Sequence, residues 1–351
     1  MRETQCDIII PIFNKLDLTK DCLESIKNNT RSSSYSIILI DNGSEAETSK
    51  FLENFKNSNK NTVLIHNQDN LGWIRAINQG IELSTSPYMC IMNNDTIVRT
   101  DDWISKLIEV SEIEPEIGLV NPSFEVKKEI SSPRPFIEID FCRGYCILIK
   151  RPVIEKIGLL DEAYGPGYYD DDDYSMRAIQ AGFKCVKTDN VLVEHLRDST
   201  FSSIFGEEKR LALHYKNKML FYSKWGMRLK LLFIITRQTN RRVFADRLLL
   251  LARKQHIVYL WNLTNPFSIP HINIREKKLP NFFYGLNSLL ALYFNKLKKR
   301  TKQYDMVFVD NERLNQALST VTSRVYNLDL ETDNDKIYEI VGAASKVKYG
   351  V

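Results

Sequence analysis

The chain has 351 residues, 43% hydrophobic and 26% charged, which is the make-up of a folded protein long enough for two domains and excludes a disordered or fibrous chain. A net charge of only +4 gives no general electrostatic footprint for a polyanion, so no nucleic-acid partner is expected. Six scattered cysteines without C-x-x-C pairs read as buried thiols, no apolar run approaches the roughly 20 residues that span a bilayer, and charged Arg2 and Glu3 before the first strand do not resemble a signal peptide, so a cytoplasmic location is expected.

Residues 7–12 form an isoleucine-rich run interrupted at Pro11, which predicts a buried strand, and Leu18, Cys22 and Ile26 follow at helical spacing. The pattern repeats: residues 36–40 lead into the turn Asp41-Asn42-Gly43-Ser44, and Phe51, Leu52 and Phe55 mark the next helical face. A third strand over 62–66 reaches a turn at Asn70 and Gly72, Ile74, Ile77 and Ile81 line another helix, and residues 88–92 make a fourth strand. Strands alternating with helices predict a mostly parallel α/β sheet flanked by helices. Ligands bind beyond the carboxyl ends of such strands. Phe13-Asn14, Asp41-Asn42, Asn70 and Asn93-Asn94-Asp95 should therefore converge on one edge.

Further on, Arg143-Gly144-Tyr145 precedes an apolar run over 146–149. A loop rich in glycine and proline, 165–169, then leads to Asp170, Asp171, Asp172 and Asp173 at a predicted helix start, where the helix dipole favours negative charge. Short strands over 184–187 and 191–193 follow, the second ending near His195. From 228 the pattern restarts, with strands at 229–235, 256–260, 272–276, 306–309 and 324–328 and helices around Phe244 to Leu251, over 282–302 and over 314–318. The division predicted is a first domain over 1–227 and a smaller α/β domain over 228–351.

The chemistry these residues offer is that of oxygen and nitrogen donors on post-strand turns. Asp95 suits a hard cation such as Mg²⁺ or Mn²⁺, and His195 adds a ligand better matched to Mn²⁺. Asp41 offers an acceptor for a nucleobase and Phe13 a stacking surface. Four adjacent aspartates cannot all ionise cheaply, which lifts one pKa toward that of a useful base. Each feature taken singly also has a plain reading: Asn and Asp favour turns, acidic runs cap helices, and a lone histidine is commonly a satisfied side chain.

In their order along the chain the segments Ile8-Ile9-Ile10-Pro11-Ile12-Phe13-Asn14, Ile38-Leu39-Ile40-Asp41-Asn42-Gly43-Ser44, Asn70-Leu71-Gly72-Trp73, Ile91-Met92-Asn93-Asn94-Asp95 and 168–177 resemble the inverting family 2 glycosyltransferases of GT-A fold, over about residues 6–226. The resemblance implies a nucleoside-diphosphate sugar donor held by Pro11, Phe13, Asn14, Asp41, Asn70, Gly72, Arg75, Asn93 and Asn94. It implies Asp95 and His195 as metal ligands, Asp171 as catalytic base, and Gly144, Tyr169, Asp170, Asp173 and Arg177 on the acceptor side. Two positions depart from the family pattern: Asn93 stands where its metal motif begins with an acid, and Asp170 where a glutamate is usual. A glycan or lipid-linked glycan acceptor and a role in bacterial surface polysaccharide synthesis follow from the resemblance, as does work at the inner face of the plasma membrane.

The second domain resembles the N-terminal half of a GT-B glycosyltransferase, through Ala252-Arg253-Lys254-Gln255-His256-Ile257-Val258, and lacks the usual glycine-rich turn after its first strand. The apolar and basic helix over 289–302 reads first as a packed core helix with a solvated basic end, and secondly as a peripheral membrane or partner contact. A sugar nucleotidyltransferase is the enzymatic alternative, though no glycine-rich phosphate loop follows the first strand. A non-catalytic nucleotide-sugar or carbohydrate binding protein is the other.

Overall fold

The computed structural model describes residues 5–31, 34–124, 134–196, 200–237, 241–263, 267–279, 284–328 and 334–347. They fall into two compact units, Met1–Leu220 and Phe221–Val351. Residues 125–133, between Phe124 and Phe141, lie outside the described residues.

The first unit begins with the expected alternation: β1 (Cys6–Ile12), α1 (Leu16–Asn29), β2 (Tyr35–Asn42), α2 (Ala46–Ser58), β3 (Thr62–Asn67), α3 (Trp73–Leu83) and β4 (Tyr88–Met92). β1 pairs in parallel with both β2 and β4 and is buried along its whole length, which is why its sequence is a near-continuous apolar run. Its side chains alternate between faces. Ile8, Ile10 and Ile12 join Cys22, Leu23 and Ile26 of α1 in one core. Ile9 meets Gly80 of α3 so closely that a Cβ there would lie 2.3 Å from the Ile9 Cγ2 atom. Glycine weakens a helix by about 1 kcal/mol relative to alanine; at Gly80 it permits the helix to settle on the sheet.

The remaining elements of this unit are β5 (Thr96–Val98), α4 (Trp103–Ser111), β6 (Ile117–Ser123), β7 (Ile137–Ile139), β8 (Cys146–Lys150), α5 (Arg151–Ile157), α6 (Asp170–Gln180), β9 (Lys184–His195) and α7 (Thr200–Trp225). The sheet runs β3-β2-β1-β4-β8-β6-β9-β5, with β7 also on β9. β8 is antiparallel to β4 and β6, and β5 and β7 are antiparallel to β9. The two short strands expected over 184–187 and 191–193 are one strand, β9. A register shift against β6 between Asn121 and Ser123 interrupts its side-chain alternation. All six cysteines are free and buried.

The second unit contains β10 (Lys230–Ile235), α8 (Arg241–Arg253), β11 (Ile257–Asn262), β12 (Ile274–Lys278), α9 (Tyr284–Lys296), β13 (Met306–Val309), α10 (Glu312–Ser319), β14 (Val325–Asn327) and α11 (Asn334–Val347). Its five strands are all parallel, in the order β12-β11-β10-β13-β14. Phe233, Phe244, Phe308, Ile337 and Val341 fill the core on one face, and Leu232, Ile234, Leu292, Val309 and Leu314 the other. The helix expected over 282–302 ends at Lys296, and a separate short turn of 3₁₀ helix covers Arg300–Lys302; 282 and 283 lie outside the described residues.

Candidate active site

The parallel strands of the first unit deliver their polar post-strand residues to one edge of the sheet, as their order requires. Antiparallel pairing of β5 with the end of β9 sets His195 opposite Thr96, next to Asp95. Asp95 Oδ1 lies 3.2 Å from His195 Nε2. That oxygen is buried and accepts no hydrogen bond, an arrangement that costs about 1–3 kcal/mol if left uncompensated. Tyr145 stacks on one face of the imidazole at 5.4 Å between ring centroids.

Asn93 connects this pair to its surroundings. Its Nδ2 lies 3.5 Å from His195 Nε2 and its Oδ1 accepts from Trp73 Nε1 at 2.9 Å. Its backbone N–H donates to the Tyr145 carbonyl. One residue before Tyr145, the Gly144 N–H donates to Asp171 Oδ2 at 2.9 Å, while the Asp172 N–H donates to Asp171 Oδ1 at 3.0 Å. A Cβ on Gly144 would come within 3.4 Å of the Trp73 ring and 3.6 Å of the Asp171 carboxylate, so the three residues form a narrow pass. Asp95, His195, Asn93, Trp73, Gly144 and Asp171 are thus linked by direct contacts and single chain steps.

Asp171 is half-buried at the start of α6. Burial raises its pKa; the N–H groups of Gly144 and Asp172 and the charge of Arg143 pull it back, and the net direction is upward. Asp170 is buried, and burial followed by the neighbouring Asp171 charge pushes its pKa well up. The acidic run fills the first turn of α6, where the helix dipole favours its charge, while the N-cap itself is Tyr169 and makes no side-chain cap bond.

Two consecutive tyrosines before α6 hold left-handed backbone, Tyr168 at φ 72° and Tyr169 at φ 66°, a conformation that costs L-residues roughly 1–2 kcal/mol each. The loop is pinned from α7. Fully buried Asn217 donates through Nδ2 to the carbonyls of Tyr164 (2.6 Å), Gly167 (2.7 Å) and Tyr168 (3.2 Å), and the His214 ring packs on Tyr168 and Tyr169. Neither Asn217 nor His214 carries a sequence signal, because each acts through a loop about 50 positions away. Buried Asn121 similarly builds the 143–146 turn, accepting from the Arg143 N–H and donating to the carbonyls of Arg143 and Cys146.

Several residues expected to face ligand are engaged elsewhere. Asp173 accepts from Tyr164 and Arg177, and Arg177 also donates to the carbonyls of Ile157 and Leu159, so this pair braces the end of α5 against α6. Exposed Arg75 pairs with Glu162 at 3.0 Å. Asn94 turns to Thr19 of α1. Asn14, at φ 57°, receives the Glu45 N–H, and its own N–H donates to Ser44. Pro11 lies inside β1 opposite Ile40, and Phe13 is half-buried just beyond.

Asp41 is buried and fully engaged: Oδ1 accepts from the Ser44 N–H, and Oδ2 from Ser49 and from His66 Nδ1 at 3.0 Å. Burial alone would raise its pKa, but the hydrogen bonds from Ser49, Ser44 and His66 together hold it low. Buried Asn42 donates to Asn70 and the Gly72 carbonyl and accepts from Asn67 and the Leu71 N–H. Its place in the Asp41-Asn42-Gly43-Ser44 turn marked it as polar, but its reach to the next loop was not readable from spacing. Gly43 and Gly72 both adopt positive φ and close on neighbouring backbone, Gly43 on Asp69 and Asn70 and Gly72 on Pro166, so neither admits a Cβ without a shift.

The mostly parallel sheet flanked by helices is a GT-A fold. Residues 7–158 match the family model described as glycosyl transferase family 2. A curated relative, the uncharacterized protein y4gI of Sinorhizobium fredii, is 22% identical over 211 residues, 52% of this chain and 23% of that one. Glycosyltransferase AglE of Haloferax volcanii is 27% identical over 89 residues, 25% of this chain and 29% of that one. Both matches span less than a third of those relatives' lengths. Among solved structures, the mannosyltransferase PcManGT from Pyrobaculum calidifontis, in complex with GDP-Man and Mn²⁺, superposes with a TM-score of 0.51 at 14% identity, over 62% of this chain and 65% of that one. These matches support a family 2 glycosyltransferase domain in the first unit.

Proposed function

We propose that the first unit transfers a sugar from a nucleoside-diphosphate donor to an acceptor hydroxyl with inversion, Asp171 acting as base. The observation that carries this reading is the continuous set of contacts from Asp95 and His195 through Asn93 and Trp73 to Gly144 and Asp171. Chemistry at an anomeric carbon needs a proton acceptor and a leaving-group stabiliser within one small space, and that run of contacts supports these residues for the two roles. Two backbone N–H groups orient the Asp171 carboxylate, and burial makes it a stronger base than a solvated aspartate. Asp171 takes the acceptor proton, the acceptor oxygen forms its bond to the anomeric carbon, and the bond to the nucleoside diphosphate breaks on the opposite side.

The orphaned Asp95 Oδ1 beside His195 Nε2 fits a divalent cation, and its donor set suits Mn²⁺ or Mg²⁺. Among the described residues no group of three His, Cys, Asp or Glu could hold a metal, so donor phosphate and water would supply the other ligands. When bound, the ion would supply charge stabilisation for the departing diphosphate. Asn93, where the family pattern has an acid, holds Trp73 and contacts His195. The engaged Asp41, Asn42 and Asn70 set the walls of the donor pocket by fixing their turns. A glycan acceptor, lipid-linked in the setting of bacterial surface polysaccharide synthesis, accords with the family resemblance.

For the second unit, resemblance to half of a GT-B enzyme accords with the strand order, which places a switch point between β10 and β13. There, however, the N–H groups of Thr236 and Arg237 both donate to Asp310, so its carboxylate occupies the anion position a phosphate would take. A role for this unit in acceptor handling or docking is the better-supported proposal.

The test is a donor screen that follows release of nucleoside diphosphate in Mn²⁺ and after chelation. Asp171→Asn is expected to lower kcat by a factor on the order of 10²–10⁴ with donor affinity retained, and chelation to abolish turnover reversibly. Full activity of Asp171→Asn removes the base assignment. Metal-independent donor binding with no turnover on any acceptor would favour the binding-protein reading.

A further inference from the structure

We propose that the second unit docks on an anionic lipid bilayer through the outward face of α9 and the basic turn that follows it. Leu286, Leu290, Tyr293, Phe294 and Leu297 are between 46% and 68% exposed. At 100° per residue, the four within α9 share an arc of about 100°, and Leu297 continues it into the next turn. The opposite face, with Ser288, Leu292 and Asn295, is the buried one. A helix packed on a sheet normally turns polar residues to water; here the outward face is apolar, and its contiguous aliphatic and aromatic side chains mark a contact surface.

Charge identifies the partner. Lys296, Lys298, Lys299, Arg300 and Lys302 follow directly on the apolar stripe, and residues 284–304 contain no acid. Among the described residues no carboxylate forms an ion pair with any of the five, and only the Lys296 ammonium has a hydrogen-bond acceptor, the Val321 carbonyl. Apolar side chains edged by lysine and arginine, with tyrosine and phenylalanine among them, suit the boundary between acyl chains and negative headgroups. α9 has 13 residues, about 20 Å of helix, against a hydrocarbon core of about 30 Å. No described helix is long and apolar enough to cross a membrane. The contact is therefore one that lies in the interface plane.

The experiment is sedimentation of the full chain with vesicles of phosphatidylcholine alone and of phosphatidylcholine mixed with phosphatidylglycerol. Binding to the mixed vesicles only, weakening as salt rises, is expected. The triple variant Lys298→Gln, Lys299→Gln, Arg300→Gln should lose on the order of 100-fold in affinity, at roughly five-fold per charge. Phe294→Ser with Leu297→Ser should lose on the order of ten-fold or more. All these side chains are exposed, so thermal unfolding should be unchanged in both variants, which separates lost docking from lost folding. Donor turnover without vesicles should also be unchanged, so this result stands apart from the sugar-transfer test. No binding to either vesicle, or equal binding by the triple variant, overturns the proposal. Concentration-dependent self-association abolished by Phe294→Ser with Leu297→Ser would instead assign the face to a second copy of the chain.

Discussion

At the scale of single residues, the proposed chemistry depends on Asp171 being kept both ionisable and basic. Burial raises its pKa and Arg143 opposes that rise through its charge, while Arg143 itself stays exposed over the Phe124 ring at 4.8 Å. A base works only when deprotonated, so activity falls as pH drops through its pKa. The acid limb of kcat/KM should therefore lie above the ordinary aspartate value of about 3.9. Arg143→Gln removes a lowering influence and should move that limb to higher pH. A limb unmoved in that variant would mean that Arg143 does not act on the base. Asp95 follows β4, His195 ends β9 and Asp171 opens α6, and each lies in a short motif that drew notice in the sequence by its position. The engagement of Asp173, Arg177, Asn94 and Arg75 was not legible, since their partners Tyr164, Ile157, Thr19 and Glu162 are set by tertiary packing.

At the scale of elements, the alternation from β1 to β4 was readable because continuous isoleucine runs and helical spacing leave little ambiguity. Residues 96–140 were not read as elements. Two of the strands there, β5 and β7, are three residues each and pair antiparallel with β9, too short for periodicity to register. Yet β5 is what brings Asp95 beside His195. The loop over 164–169 depends similarly on α7. Asn217→Ala removes a buried donor that three loop carbonyls share, at a cost of about 1–3 kcal/mol. Because the left-handed tyrosines precede α6 directly, kcat should fall more than KM changes. Thermal unfolding with steady-state kinetics checks both; a wild-type kcat in a destabilised Asn217→Ala protein would show that the loop does not govern the placement of Asp171.

At the scale of the whole molecule, two compact units each build their own core around their own sheet. The division at Leu220 and Phe221 falls within α7, a few residues ahead of the 227/228 boundary expected from the restart of strand patterning. Helical periodicity runs through that join without a break, which is why composition could not mark it. α11 went unread, although Ile337 and Val341 complete a core. If the donor binds the first unit alone, mass action stabilises that unit by about 2.7 kcal/mol at a ligand concentration 100 times Kd. Calorimetry should then resolve two transitions, of which nucleoside diphosphate with Mn²⁺ moves one. Equal shifts in both would refute ligand binding confined to one unit.

The six buried cysteines have a practical corollary. With every native sulfhydryl shielded inside the folded chain, an environment-sensitive dye attached through Leu297→Cys would report from that position alone, and its emission could be followed as lipid is titrated in without first engineering a cysteine-free background.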